Sequence, residues 1–298
     1  MRVLVLEGGT STERAVSLRS AAAVRDAVTK LGHTVTTIDP AEGDAAVLLA
    51  CQSAEVVLPI LHGAGGEDGE IQALLDRSGI PYLGSGVKAS QRAFDKVTLK
   101  ELMLENNVPT PAFEVVTKQT IDDSALIKHP FVLKPILGGS SIDVAFERHL
   151  PDVLPTFRSL FERHHTMLCE ELIDGVEITV AVLGDDVLPA VEIVPPIGQE
   201  FDYKNKYNGS TLELCPAQNV SMSVQQTAGQ LAWRLHQLTG AKHLSRTDMI
   251  VRPDGSLVIL ELNTMPGLTQ QSLYPKAAAV YGLDMPALVA KFIELPLS

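Results

Sequence analysis

Two strand-like runs joined by Pro253-Asp-Gly255 constrain this chain more than any other feature. The first is Ser245-Arg-Thr-Asp-Met-Ile-Val251; the second begins at Leu257 and ends in Glu261-Leu-Asn263. A Pro-Asp-Gly turn between two such runs predicts an antiparallel hairpin. Alternation with period two puts Glu261 and Asn263 on one face of the second strand, and antiparallel pairing lets Asp248 face them. Three oxygen-bearing side chains at adjoining strand ends are what a hard cation such as Mg²⁺ requires. Gly267, in Asn263-Thr-Met-Pro-Gly267, then brings backbone close to whatever the metal holds. The pattern predicts a nucleotide–metal site.

The remaining numbers narrow the setting. A length of 298 residues suits two or three domains. A formal charge of −12 argues against nucleic acid or an anionic membrane as the main partner. A phosphate-bearing ligand therefore needs local lysines, arginines and metal. Cys51, Cys169 and Cys215 show no metal-type spacing and suit a reducing compartment. The first apolar run, Val3 to Leu6, is too short for a signal peptide, and no run approaches membrane-spanning length. A soluble, cytoplasmic protein is expected.

The chain divides by pattern into three parts, 1–94, 95–174 and 175–298. In the first, Val3 to Leu6, His33 to Ile38 and Val56 to Leu61 read as strands. Helices are expected from the Thr10-Ser-Thr-Glu13 capping box to Leu31, and from Asp68 to Arg77. That alternation predicts a small doubly wound α/β unit, with ligands at the carboxyl ends of its strands. Gly8-Gly9 and His62-Gly-Ala-Gly-Gly-Glu-Asp-Gly69 lie at such ends. The second part is α+β: a helix from Asp95 to Asn106, strands at Phe113 to Thr117, Phe131 to Lys134, Ile142 to Phe146 and Thr166 to Glu170, and a helix from Asp152 to Arg163. The third has long strands at Glu177 to Leu183 and Val187 to Val194. It also has a helix with Ser223 and Gln226 as capping box and Gly240 as stop. Gly198 to Pro216 is polar and aperiodic, and reads as a surface loop able to close over a site.

Most motifs carry two readings. Lys134 ends an apolar strand before Gly138-Gly139-Ser140-Ser141, a cradle for phosphate oxygens or a plain hairpin with an edge lysine. It is neither a Walker A loop nor a nucleophile elbow, since Ile142 stands where the last glycine of the elbow belongs. Gly84-Ser-Gly86-Val-Lys-Ala89 fits the dinucleotide fingerprint only loosely. Glu13 caps a helix or binds a ligand; Glu67 and Asp68 read as caps. Arg246 shares a face with Asp248, as a structural ion pair or a functional group.

The order of these segments is more specific than any one of them. Glu7-Gly-Gly-Thr-Ser-Thr-Glu13, His62 to Gly69, Gly84-Ser-Gly86, Asp95-Lys96, Leu133-Lys134-Pro135 and Gly139-Ser-Ser141 are followed by Lys206-Tyr207, Cys215-Pro-Ala217, Arg246-Thr-Asp248, Glu261 to Gly267 and Gln271-Ser-Leu273. Over nearly its whole length the chain resembles the D-alanine–D-alanine ligases of the ATP-grasp superfamily. The resemblance implies a three-domain ATP-grasp fold: an N-terminal doubly wound α/β domain, then central and C-terminal domains that grip ATP. It implies an acyl-phosphate route to D-alanyl-D-alanine, for peptidoglycan precursor synthesis.

The resemblance also implies roles. Asp248, Glu261 and Asn263 hold two Mg²⁺ or Mn²⁺ ions, and Lys96, Lys134 and Lys206 meet the ATP phosphates along with Ser141. Glu177 takes the ribose hydroxyls, while Glu170, Glu171 and Ile173 pass the adenine. Glu13 holds the first D-alanine's ammonium with His62 nearby. Ser272 and Leu273 open a helix facing the second substrate's carboxylate. Arg246 and the Gly267 N–H stabilise the tetrahedral oxyanion. Ser140 and Tyr207, with Glu13, latch the mobile loop. A homodimer through the N-terminal domain is compatible with the resemblance; nucleic acid and membrane are not expected as partners.

Three departures bear on the nucleotide. Asp143 replaces a usual glycine, Ile136-Leu137-Gly138 replaces a more polar stretch, and Ser245 replaces the glycine before the arginine. Two rivals stand beside the main reading: a ligase taking D-lactate or D-serine as second substrate, disfavoured by Tyr207, and a non-catalytic nucleotide-binding protein. Retention of Lys134, Arg246, Asp248, Glu261 and Asn263 disfavours the latter.

Overall fold

The structure is a computed structural model that describes residues 1–139, 142–148, 157, 159–196 and 211–298. Three sheets carry it. In the first, β1 (Arg2–Leu6) lies between β2 (Thr34–Ile38) and β3 (Val56–Pro59), all parallel. Alternate β1 side chains serve opposite faces, as strand geometry dictates. Leu4 and Leu6 pack on α2 (Asp44–Cys51) and α3 (Glu70–Ser78), and Val3 and Val5 pack on α1 (Arg14–Lys30). Helices thus cover both faces, as the doubly wound pattern predicts.

After α4 (Val87–Phe94) and α5 (Lys96–Glu105) comes an antiparallel sheet ordered β4-β7-β5-β6. Its strands are β4 (Phe113–Thr117), β5 (Phe131–Pro135), β6 (Ala145–Glu147) and β7 (Thr166–Glu171). Phe131 meets Phe157 with ring centroids 5.2 Å apart in the core beneath it.

The third sheet runs β11-β10-β8-β12-β13, with β9 (Asp186–Val187) paired to β8 (Val176–Leu183). Its other strands are β10 (Val191–Val194), β11 (Leu212–Leu214), β12 (Leu244–Val251) and β13 (Leu257–Asn263). α6 (Met222–Thr239) lays Ala228, Ala232 and Leu235 against Ile178, Met249 and Ile259. α7 (Leu273–Tyr281) and α8 (Met285–Glu294) then return to the first sheet, so one core joins Val3 and Val5 to Tyr274 and Phe292. The fully buried Tyr274 donates its hydroxyl to the Val182 carbonyl at 2.8 Å.

Several expectations shift. Thr10-Ser-Thr-Glu13 is no capping box: α1 starts at Arg14, Glu13 is itself the N-cap without a capping side-chain bond, and its N–H donates to Ser11 Oγ at 3.1 Å. α6 is capped by Ser221, whose hydroxyl accepts the Val224 N–H, rather than by Ser223. Asp186 to Val194 is two strands. The expected strand at Ile142 starts only at Ala145, and the end of the polar loop forms β11. The expected helix at 152–163 falls largely outside the described residues; Phe157, Ser159 and Leu160 are helical.

Phe292 is fully buried where the first sheet, the third sheet and the last helices share a core. Phe292→Ala is expected to lower unfolding free energy by about 3–5 kcal/mol through transfer and cavity terms. Urea denaturation reads this; a loss near that of a surface substitution would show that the shared core does not hold the parts together.

Candidate active site

A cleft runs where the three sheets come together, and it contains two adjoining cavities of about 590 and 510 Å³. Glu13, Lys96, Gly139 and Glu261 line both, so the cavities meet there. His62, Glu67, Arg246, Gly267 and Ser272 belong to the first, and Lys134, Glu177, Asp248 and Ile173 to the second. A ligand in each would touch at the shared wall.

The hairpin forms as its turn predicts, and its register places Asp248 directly opposite Glu261 and Arg246 opposite Asn263. A bulge after Asp248 adds Leu260 to β13, so Met249 pairs with Ile259. On the other side Asp248 faces Thr179 of β8, whose hydroxyl donates to Asp248 Oδ1 at 2.5 Å. Arg246 grips Asp248 with two charge-assisted bonds, Nε to Oδ1 at 2.8 Å and Nη2 to Oδ2 at 2.7 Å. Burial alone would lower the Arg246 pKa, but Asp248 raises it, so the guanidinium stays charged. Asn263 Oδ1 accepts the Met265 N–H at 2.8 Å, setting the start of the loop to Gly267. Asp248, Glu261 and Asn263 offer only oxygen atoms, two of them on facing carboxylates, and this donor chemistry fits a hard divalent ion.

The second cavity combines an apolar side with cations. Ile173 packs with Ile250, Val258 and Leu260, a surface suited to a flat base. Lys134, next to last in β5, pairs with Glu170 Oε2 at 2.7 Å. Glu170 is 2% exposed and its other oxygen pairs with Lys100 at 2.6 Å, so its side chain is committed to two lysines. Burial opposes ionisation of Glu170, but Lys134 and Lys100 outweigh it and hold its pKa low. Lys96, the first residue of α5, donates its ammonium to the Gly138 carbonyl at 2.6 Å and its N–H to the Ile136 carbonyl at 3.1 Å. The Ile136-Leu137-Gly138 departure thus serves Lys96 through backbone atoms, for which side-chain polarity is immaterial. Glu171 forms a longer 3.5 Å pair with Arg252.

In the first cavity His62 uses both ring nitrogens. Nδ1 donates to the Met265 carbonyl at 3.1 Å, and Nε2 lies 3.1 Å from Ser20 Oγ, which accepts the Leu268 N–H. These partners fix a neutral ring, and burial pushes its pKa down to about 4. Glu67, read from sequence as a helix cap, is instead buried in this cavity and accepts the Gly63 N–H at 2.6 Å. Burial and the nearby Glu13 charge raise its pKa to about 8. A Cβ on Gly63 would lie 2.7 Å from Glu13 Oε2, and one on Gly267 would lie 2.9 Å from Ser272 Oγ. At Gly63 a φ of +74° also favours glycine, and at Gly267 a side chain would have to displace the Ser272 hydroxyl. Ser272 is the N-cap of α7 and Leu273 its first residue, as expected.

Ser140, Ser141, Lys206 and Tyr207 lie outside the described residues. The sequence missed Glu67, Thr179 and Lys100. Only Lys100 left a trace there, one helical turn after Lys96. Of the departures, Asp143 has φ +57° and turns its carboxylate to Arg163 Nη2 and His164 Nε2, each at 2.7 Å, which hold its pKa low. Ser245 points away from the cleft and shares a buried 2.7 Å hydrogen bond with His236 Nδ1.

A cleft beside two antiparallel sheets, cationic at one end and carboxylate-rich at the hairpin, suits a phosphate-bearing ligand accompanied by a divalent ion. The family model for the D-ala D-ala ligase C-terminus matches residues 102–294, and that for the N-terminus matches residues 40–85. The D-alanine–D-alanine ligase of Nitratidesulfovibrio vulgaris is 40% identical over 297 residues, covering 99% of this chain and 98% of its own. That of Gloeobacter violaceus is 41% identical over 303 residues, covering 99% of each. A crystal structure of the Bacillus anthracis D-alanine–D-alanine ligase complexed with ATP superposes with a TM-score of 0.86 at 27% identity, over 100% of this chain and 97% of that one. The chain belongs to the D-alanine–D-alanine ligase family.

Burial holds His62, His236 and His243 each at a pKa of about 4. An unfolded histidine titrates near 6.5, so between these values the unfolded chain binds more protons and stability falls as pH falls. Glu67 opposes this with one proton, because its raised pKa makes the folded chain the better binder. The urea midpoint is therefore expected to drop below about pH 6.5 with a slope near two protons. His236→Gln should make the slope shallower; an unchanged slope would show that His236 is protonated in the folded state.

Proposed function

We propose that this chain joins two D-alanines into D-alanyl-D-alanine while converting ATP to ADP and phosphate, a cytoplasmic step toward the peptidoglycan precursor. The meeting of the two cavities at Glu13, Lys96, Gly139 and Glu261 carries this reading. It lets a carboxylate held in one reach a phosphate held in the other. We assign 1–94 to the N-terminal substrate domain, 95–174 to the central and 175–298 to the C-terminal ATP-grasp domain. The last two grip ATP. A homodimer through the first domain is compatible with this division.

In the first step the carboxylate of one D-alanine attacks the γ-phosphorus, the bond to ADP breaks, and an acyl phosphate forms. The amine of the second D-alanine, as free base, then attacks the acyl carbon, and phosphate leaves from the tetrahedral intermediate. Both anions must first approach one another, so positive charge is the physical requirement. Lys96 and Lys134 supply it at the phosphates, with Lys206 and Ser141 assigned beside them. Asp248, Glu261 and Asn263 would hold two Mg²⁺ or Mn²⁺ ions, which when bound neutralise phosphate charge.

Glu13 accepts the first substrate's ammonium, and Glu67 adds a second carboxyl to that corner. His62, tied to Met265, holds the loop that bears Gly267. The Gly267 N–H and Arg246 donate to the oxyanion, and the N-terminus of α7 at Ser272 and Leu273 receives the second carboxylate. The segment from Glu170 through Glu171 to Ile173 passes the adenine by its backbone and the Ile173 side chain, and Glu177 takes the ribose. Ser140 and Tyr207 complete a latch with Glu13 that keeps water from the acyl phosphate.

The direct test is phosphate release from Mg·ATP with D-alanine, L-alanine, D-lactate or D-serine, with product mass. D-alanyl-D-alanine from D-alanine is expected. A depsipeptide or mixed product would move the specificity, and ATP binding without product would make this a nucleotide-binding protein. Arg246→Ala is expected to reduce turnover on the order of a hundredfold while ATP still binds. Near-normal turnover would remove Arg246 from the oxyanion site.

A further inference from the structure

Lys100 is a fully buried lysine that the reaction scheme does not use. It lies one turn beyond Lys96 on α5, so both project from the same helical face. Its ammonium is 2.6 Å from Glu170 Oε1 and 2.7 Å from Thr110 Oγ1, and it sits 5.5 Å from the centroid of the Phe113 ring. Thr110 in turn donates to the Ile259 carbonyl at 3.0 Å, on the strand that carries Glu261. The ammonium's surroundings are thus filled and no ligand reaches it.

Glu170 forms ion pairs with Lys100 through one oxygen and with Lys134 through the other, at 2.6 and 2.7 Å. One negative charge is therefore divided between two positive ones in a region of low dielectric. A Glu170–Lys134 pair alone would be neutral, and the lysine would offer a phosphate little net attraction. The second lysine keeps the group cationic and pins the carboxylate from behind, which leaves Lys134 at the cavity wall. Burial pushes the Lys100 pKa down to about 8, still compatible with a charged ammonium at neutral pH.

We propose that Lys100 is a positioning residue of the nucleotide site, holding Glu170 so that Lys134 faces the phosphates with uncompensated positive charge. This rests on the reading of the second cavity as the ATP site. Lys100→Met keeps the unbranched stem without the ammonium and leaves Glu170 paired with Lys134, so no buried charge is stranded.

The experiment compares ATP with adenosine, binding of each being measured by ligand-detected NMR and calorimetry on the full chain. Lys100→Met is expected to weaken ATP about tenfold or more, through loss of a charge-assisted contact, and adenosine less than about twofold. Adding Glu170→Gln removes the neutralising carboxylate and should recover most of the lost ATP affinity. Equal losses for ATP and adenosine, or a double variant no better than the single, would reduce Lys100 to a packing role and overturn the proposal. The double variant, which keeps no carboxylate against Lys134, decides the matter on its own if the single one does not fold, because ATP affinity well below native refutes it. Failure of the unmodified chain to bind ATP would instead overturn the nucleotide reading itself.

Discussion

A buried carboxylate must be paired, and the site depends on how Asp248 is paired. Arg246 grips it from the same strand, and Thr179 donates to it from the neighbouring one. These bonds exist because β12 lies between β8 and β13 in a fixed register. The bulge at Leu260 completes the arrangement. Were the ladder to continue without the shift, Asp248 would face Leu260 and Glu261 would face Thr247 on the opposite side of the sheet, since a one-residue slip inverts every side chain. One irregularity in a ladder thus decides whether two carboxylates meet or part. Removing Arg246 would strand the buried Asp248 charge and, in the proposed scheme, delete a donor to the oxyanion, so its effects on stability and turnover would have separate origins.

The same logic governs charge along the cleft. The chain carries −12, yet its phosphate-facing end presents lysines. Lys96 is held by backbone carbonyls, Lys134 by a carboxylate shared with a second lysine. Toward the hairpin the balance reverses, with Glu261, Asp248, Glu67 and Glu13 close together. Burial raises the pKa of Glu67 there, and the charges of Glu13 and Glu261 raise it further. A polyanion entering this end would have to bring cations with it, so in the proposed scheme nucleotide and metal binding would be coupled.

Much of this was legible in the sequence where local chemistry and global fold agree. The Pro253-Asp-Gly255 turn, the alternation of the first ninety residues and the lysine next to last in β5 each specify their element locally. The misses share a cause. α2 was hidden because only Val47 and Cys51 of its eight residues are buried, too few for a visible period. α4 was hidden behind the Gly84-Ser-Gly86 turn, whose last glycine is its N-cap. Thr179 and Glu67 matter only through strand register and burial, which no spacing in the chain encodes. Ser223 and Gln226 matched a capping box, but Ser221 won the position by starting the helix two residues earlier.

The departures from the family pattern show how far a local reading can mislead. An aspartate at 143 looked like negative charge set beside phosphates. Its φ of +57° is a conformation that glycine adopts freely and aspartate tolerates better than most residues. The side chain that replaces glycine's hydrogen is then held by Arg163 and His164, and the Arg163 guanidinium balances its charge. At Ser245 the added hydroxyl is buried against His236, away from the cleft, so the arginine that follows keeps its geometry. In both places the cost of leaving glycine is offset by a partner far along the chain or on another element. A substitution's effect on such a site follows from where its new atoms point, not from the charge or polarity they add.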